Sequence, residues 1–344
     1  METANIINEE WVLIMDIKTE EKLSLFVSNV LAIKKEFARH HDLTKRLAAL
    51  LYAQENKPID CAAISQCHDL IKNSAGVFSS FRGNMSLCIA ALLSLSDDPE
   101  RLLSEAIKVF DLLKKAKLRA SDYLAVAAYQ IAAGTDPGKY SAVVERTKAF
   151  YDGMKANSRF YTGQDDYILA AMLGLSDLNV RIGVEHIDRL YTRLKGEFWD
   201  KNSVLALSQV MVLGDTSDDT VKRLLALRDA CKAQKLRLDR SYALSSLGIL
   251  ALLPVDIDVI VNDIDKAQAF LRSYKEFGPR YINKQDMLLL AAANVVWEYA
   301  SNGESGVLTA TLSNSITNII IAQQAAIVAV IAATSAVAAS SSSH

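Results

Sequence analysis

The chain has 344 residues, 51% of them apolar, enough to build one large core or an elongated repeat domain. Its 14 Gly and 5 Pro are too few for the many turns of a β-sandwich or barrel, which leaves helices. Lys and Arg total 38 against 40 Asp and Glu, a net charge of -2, so no broad basic face for nucleic acid is expected.

Residues 1–43 come first and stand outside the repeat that fills the middle of the chain. Trp11 to Met15 is an apolar run, and Leu23 to Phe37 reads as a helix ending in Arg39-His40-His41. The segment is expected to provide N-terminal capping helices, because the first hairpin of a repeat array has an uncovered face. Its opening residues carry neither the basic nor the apolar region of a secretory signal, and the expected location is cytoplasmic.

From residue 44 to residue 300 one apolar pattern with small residues at its centre recurs. It reads Leu47-Ala48-Ala49-Leu50-Leu51, Ile89-Ala90-Ala91-Leu92-Leu93, Val126-Ala127-Ala128-Tyr129 and Leu169-Ala170-Ala171-Met172-Leu173. Weaker copies stand at Leu205-Ala206-Leu207-Ser208, Leu244-Ser245-Ser246-Leu247 and Leu290-Ala291-Ala292-Ala293. The mean spacing is about 40 residues, which fits a two-helix unit. The prediction is an all-α fold, an α-solenoid of about seven antiparallel helical hairpins.

In each unit a short apolar helix is followed by a polar turn and then an amphipathic helix. The turns include Ser96-Asp97-Asp98-Pro99 and Thr135-Asp136-Pro137-Gly138. Asp before Pro predicts a helix start, since Asp accepts from a free first-turn N–H and Pro lacks a donor that would go unused. The apolar helix is expected to be buried by both neighbours, while Arg101 to Leu113 and its counterparts carry one wet face.

Residues 301–344 are expected to form an uncharged Ala/Ile/Val-rich helix and a Ser-rich tail. After Glu304 there is no Asp, Glu, Lys or Arg. Residues 308–339 are long enough to span a membrane, but Asn318, Gln323 and Gln324 interrupt them and basic flanks are missing. A packed C-terminal cap is the first reading; a tail anchor or an oligomer contact is the alternative.

Candidate chemistry is sparse. Cys61, Cys67, Cys88 and Cys231 read as reduced thiols packed in helices. Cys61, Cys67 and His68 lack the paired spacing of a zinc site, and Cys67 and His68 point about 100° apart on a helix, which disfavours a thiol nucleophile. Asp165-Asp166 and Asp218-Asp219 are expected to stabilise helix starts. No nucleotide-binding, zinc-protease or nucleophile-elbow motif is present, and no cofactor is expected. The most unusual loop is Phe78-Ser79-Ser80-Phe81-Arg82-Gly83-Asn84. Its aromatics would plug a seam with Asn84 as a cap, or Phe81 and Arg82 would belong to an interaction surface. Tyr123, Tyr167 and Tyr242 start three of the apolar helices and are candidates for an aromatic edge of such a surface.

Three of these features together resemble a bacterial family of helical proteins, the domain of unknown function 4003. They are the Leu47-Ala48-Ala49-Leu50-Leu51 helix, the Phe78–Asn84 entry into Leu92-Leu93, and the uncharged tail with Gln323-Gln324-Ala325-Ala326. The resemblance spans nearly the whole chain and implies a bacterial source; it implies no established activity and transfers no catalytic residue.

The expected function is a non-catalytic scaffold that binds a protein or peptide, since solenoids present extended concave surfaces. The alternatives are a membrane-peripheral scaffold anchored through residues 308–339, and a small-molecule sensor or enzyme using the groove.

Overall fold

The structure is a computed structural model and describes residues 20–301 except 77–78 and 159–160. Phe78, Trp11 to Met15 and residues 308–339 lie outside the described residues. Within them the fold is all-α: fourteen α-helices, four 3-10 turns and no strand. The helices are α1 (20–36), α2 (Asp42–Gln54), α3 (Cys61–Ser74), α4 (Ser86–Ser94), α5 (Pro99–Lys115), α6 (Asp122–Gly134) and α7 (Tyr140–Asn157). They continue as α8 (Tyr167–Leu175), α9 (Val180–Leu194), α10 (Lys201–Leu213), α11 (Asp218–Ala233), α12 (Leu244–Leu252), α13 (Ile257–Arg272) and α14 (Lys284–Ser301). No helix among the described residues is long and apolar enough to cross a membrane.

All seven copies of the small-residue pattern fall in the even-numbered helices, and their residues are buried except Leu92 and Ala206, which are partly buried. Ala and Ser at their centres let neighbouring backbones approach. Gly174 in α8 is the extreme case: a Cβ there would lie 2.3 Å from Thr147 Oγ1 and 3.0 Å from its backbone nitrogen in α7. The odd-numbered helices keep a wet face. α5 buries Leu102, Leu103, Ala106, Val109, Phe110 and Leu113 and exposes Arg101, Ser104 and Lys108.

Even-numbered helices pack on one another in sequence, α2 on α4, α6 on α8, α8 on α10, α10 on α12 and α12 on α14. The Tyr129 hydroxyl of α6 donates to the Leu92 carbonyl of α4 and links that pair. Each odd-numbered helix from α3 to α13 packs on the even one after it; α5 lies more extensively on α6 than on α4. The close pair therefore runs amphipathic helix first, the reverse of the order expected from the turns.

The Asp-Pro turns divide. Asp98 caps α5, accepting from Arg101 N at 3.0 Å, with Pro99 in the first turn. Asp136 makes no side-chain cap; Pro137–Lys139 is a 3-10 turn and α7 starts only at Tyr140. Two arginines secure other helix ends. Arg146 of α7 donates to the carbonyls of Gly174, Ser176 and Leu178, and Arg223 of α11 donates to those of Ala251, Leu253 and Val255. Each guanidinium satisfies carbonyls that the end of an even-numbered helix leaves without intrahelical partners.

The two ends of the helical series meet. Arg46 of α2, a buried residue, donates through Nη2 to the carbonyls of Glu276 at 3.1 Å and Tyr281 at 2.9 Å. Phe26 of α1 packs on Phe277 with ring centroids 5.7 Å apart, and Lys22 pairs with the buried Glu298 of α14 at 2.8 Å. Six helix spacings of about 10 Å would separate the ends of a straight row by ~60 Å. α1 is also joined to the α2–α3 hairpin: Asn29 donates to the Ala49 and Lys57 carbonyls and accepts from Ile59 N. One core runs without a break from Leu23 to Tyr299.

Candidate functional site

The C-terminal ends of α2, α4, α6, α8 and α10 face a common cavity of about 650 Å3, together with Trp297 near the end of α14. Its volume falls in the range of small-molecule sites. Leu51, Leu92, Leu95, Met172, Leu175 and Leu213 give it apolar walls, and the exposed Glu55 and Arg101 stand where it meets solvent.

Most polar groups around it have partners already. Tyr52 OH and Ser94 Oγ are 2.7 Å apart, and Ser94 donates onward to the Ala91 carbonyl at 2.8 Å. Ser176 Oγ donates to the Leu173 carbonyl at 2.7 Å. These bonds, with that of Tyr129, quiet carbonyls left over at helix ends. Two groups differ. Gln54, the last residue of α2, and Gln130, one turn from the end of α6, are 5% and 8% exposed. Gln54 Nε2 and Gln130 Oε1 are buried without a hydrogen-bond partner. An unmet buried polar atom costs about 1–3 kcal/mol, and these two belong to side chains that line the cavity. Neither amide titrates, so the pair is suited to binding rather than to moving protons.

The residues singled out from sequence do not converge on this cavity. Phe81 is 1% exposed and packs edge-on against Phe110 at 5.4 Å, so it plugs the seam and presents no contact face. Arg82 is exposed at a separate cleft beside His40 and His68. Asn84 is not a cap: Met85 occupies that position, and Asn84 N donates to Asp122 Oδ2 at 3.0 Å. The same carboxylate fills the space beside Gly83, where a Cβ would sit 2.0 Å from Oδ1. Tyr167 is buried, packs on Tyr151 at 4.9 Å and accepts from Arg119 N through its hydroxyl. Tyr242 is half-buried and donates to Asp286. Tyr123 is half-buried, and burial pushes its hydroxyl up to about 12.

The cysteines are all free. Burial pushes the thiols of Cys61, Cys67 and Cys88 upward and that of Cys231 to about 12, which keeps them from the thiolate that nucleophilic attack and metal ligation require. Among the described residues no group of three or more His, Cys, Asp or Glu could hold a metal ion. Asp218 and Asp219 stand in the first turn of α11, after the Ser217 cap. Asp166 makes no cap bond; it is buried and accepts from Gln209 Nε2 at 2.6 Å and Gly163 N at 2.8 Å.

Gln54 and Gln130 escaped the sequence reading. The available signal was a Gln interrupting an apolar run, four residues after Val126 and seven after Leu47. The same signal marks Gln209, which pairs with Asp166, so the residue type alone did not distinguish a cavity group from a structural one.

The site so described is an apolar cavity with two amide side chains on its wall in an all-helical fold. The chain belongs to the family described as Protein of unknown function (DUF4003), whose model matches residues 29–325. No curated protein and no solved structure matches it.

Proposed function

We propose that the helices close into a ring of seven outer–inner hairpins and that this ring is a non-catalytic binding module receiving an extended peptide. The contacts of Arg46, Phe26 and Lys22 across the ends of the series support the ring. The free thiols fit a reducing compartment such as a bacterial cytoplasm. One observation carries the peptide reading: Gln54 and Gln130 line one cavity, and each has a buried amide atom, Nε2 and Oε1 respectively, that meets no partner and that a small rotation of the side chain turns toward a ligand. A donor and an acceptor of amide type complement the C=O and N–H of a peptide bond, and the apolar walls accept the flanking side chains.

The double variant Q54L/Q130L tests this. Replacing both amides by apolar groups relieves unmet polar atoms, so the fold should gain about 1–3 kcal/mol. A peptide-display selection should enrich sequences on the wild type, and the variant should lose them. Selection of no peptide by the wild type, or equal capture by the variant, would sink the reading. The cavity volume favours a small amide-bearing molecule as the second reading; thermal stabilisation of the wild type alone by such a compound, with no peptide enriched, would select it.

A further inference from the structure

A second cleft, of about 390 Å3, lies at the opposite ends of the even-numbered helices, before the starts of α2 and α4. Its chemistry is the reverse of the first cavity's. Arg39 and His40 from the α1–α2 connection, His68 and Lys72 from α3, Arg82 from the α3–α4 connection and Ser86 from α4 line it. The His40 and His68 rings meet edge-on at 5.2 Å, and His68 Nε2 lies 3.4 Å from Ser86 Oγ.

The charges nearby are unevenly neutralised. Lys72 pairs with Asp69 at 2.9 Å and Lys45 with Asp42 at 2.7 Å. Asp122 is engaged from behind by Asn84 N, and burial raises its carboxyl. His41 accepts from Leu43 N at 3.3 Å and so serves as the cap of α2. Arg39 and Arg82 have no carboxylate within ion-pair distance among the described residues. Two unneutralised guanidinium groups and the three imidazoles of His40, His41 and His68 share a cleft that no carboxylate lines.

We infer that this cleft binds a phosphate dianion, with Arg39 and Arg82 as its charged donors and His40, His68 and Ser86 as its neutral hydrogen-bonding wall. Guanidinium groups match the spacing of phosphate oxygens and pair with two at once. The cleft has the volume of about a dozen waters at ~30 Å3 each, more than a bare phosphate displaces, so the inferred ligand is a small organic phosphate.

The imidazoles add a pH response. Burial, and then the cations Lys45 and Lys72, hold His40 below its ordinary range, and burial followed by Lys72 and His40 does the same for His68. Both rings are therefore neutral at pH 7, and the charge there comes from arginine. Acidification adds imidazolium charge against the repulsion of Lys72 and Arg82 in the lining, with Asp69 beside His68 favouring it, and a bound anion offsets that repulsion.

Isothermal titration calorimetry of the full chain tests the site with inorganic phosphate, glycerol 3-phosphate and sulfate, at pH 8 and pH 6. Sulfate keeps its charge across that range, so any change in its affinity reports the protein. The wild type should bind both phosphates, and R39Q/R82Q should weaken them at least about tenfold with an unchanged melting temperature, since both side chains are exposed. Tighter binding of glycerol 3-phosphate supports an organic phosphate; tighter binding of inorganic phosphate overturns that part and leaves free phosphate as ligand. Sulfate should bind several-fold tighter at pH 6 than at pH 8, and H68Q should blunt the difference. No saturable heat at millimolar phosphate, or unchanged binding by R39Q/R82Q and by both single variants, overturns the site.

Discussion

Asp166 shows what one carboxylate does when the fold takes it out of water. Burial, and then the neighbouring Asp165, raise it well above the ordinary carboxylate range, to about 7. A raised acid stabilises the fold at low pH, where it is protonated in both states. That contribution is complete below about pH 4 and is lost as pH rises through about 7. Wild-type stability should fall by roughly 2–4 kcal/mol between pH 4 and pH 8 through this group. In Asp166→Asn the fall should be absent, so urea titrations at the two pH values should converge; an unchanged slope would remove Asp166 as its source. Little of this was legible in the sequence. Asp165-Asp166 looked like first-turn acids, because what buries Asp166 is Gln209, 43 residues away on α10.

Helix boundaries were legible where a side chain announces them to its own neighbours, as Asp98 and Pro99 do for α5. They were illegible where the partner is distant. Nothing local marks Arg146 or Arg223 as holding the ends of α8 and α12, although each lies 28, 30 and 32 residues before the carbonyls it serves. A second hidden device closes α5 and α11. Lys117 and Lys235 have φ of 70° and 62°. Each lets the next residue reach back into the helix, Leu118 N to the Leu113 carbonyl and Leu236 N to that of Cys231. This turn usually carries Gly, for which the left-handed region has no Cβ penalty. The shared Lys-Leu-Arg at 117–119 and 235–237 was readable as a repeat, but not as a strained one. Lys117→Gly should therefore stabilise the chain by about 1 kcal/mol. A lower melting temperature would show that the lysine stem packs well enough to outweigh the backbone.

At the scale of the molecule, the all-helical fold was plain because small residues recur about every 40 positions, and each copy lies in an even-numbered helix. The contact between the ends was not, since it depends on small rotations summed over the whole series. Arg46 is where the sum becomes a contact. Its two bonds to carbonyls more than 200 residues away are charge-assisted. Arg46→Leu should cost about 2–4 kcal/mol and leave the ends less firmly joined. Open arrays lose repeats from their ends, whereas a joined series has no free end to fray. The wild type should unfold in urea as one transition, and Arg46→Leu should broaden it or lower its m-value. Equal steepness in the two would mean that Arg46 adds stability without coupling the ends.

The Lys22–Glu298 pair has a further consequence. It brings the beginning of α1 to the end of α14, so the described chain starts and stops at nearly the same place. Which helix comes first then matters little to the finished structure. A circular permutant of residues 20–301, with a flexible linker joining 301 to 20 and fresh termini cut at the Asp136-Pro137 turn, should retain every described helix pair.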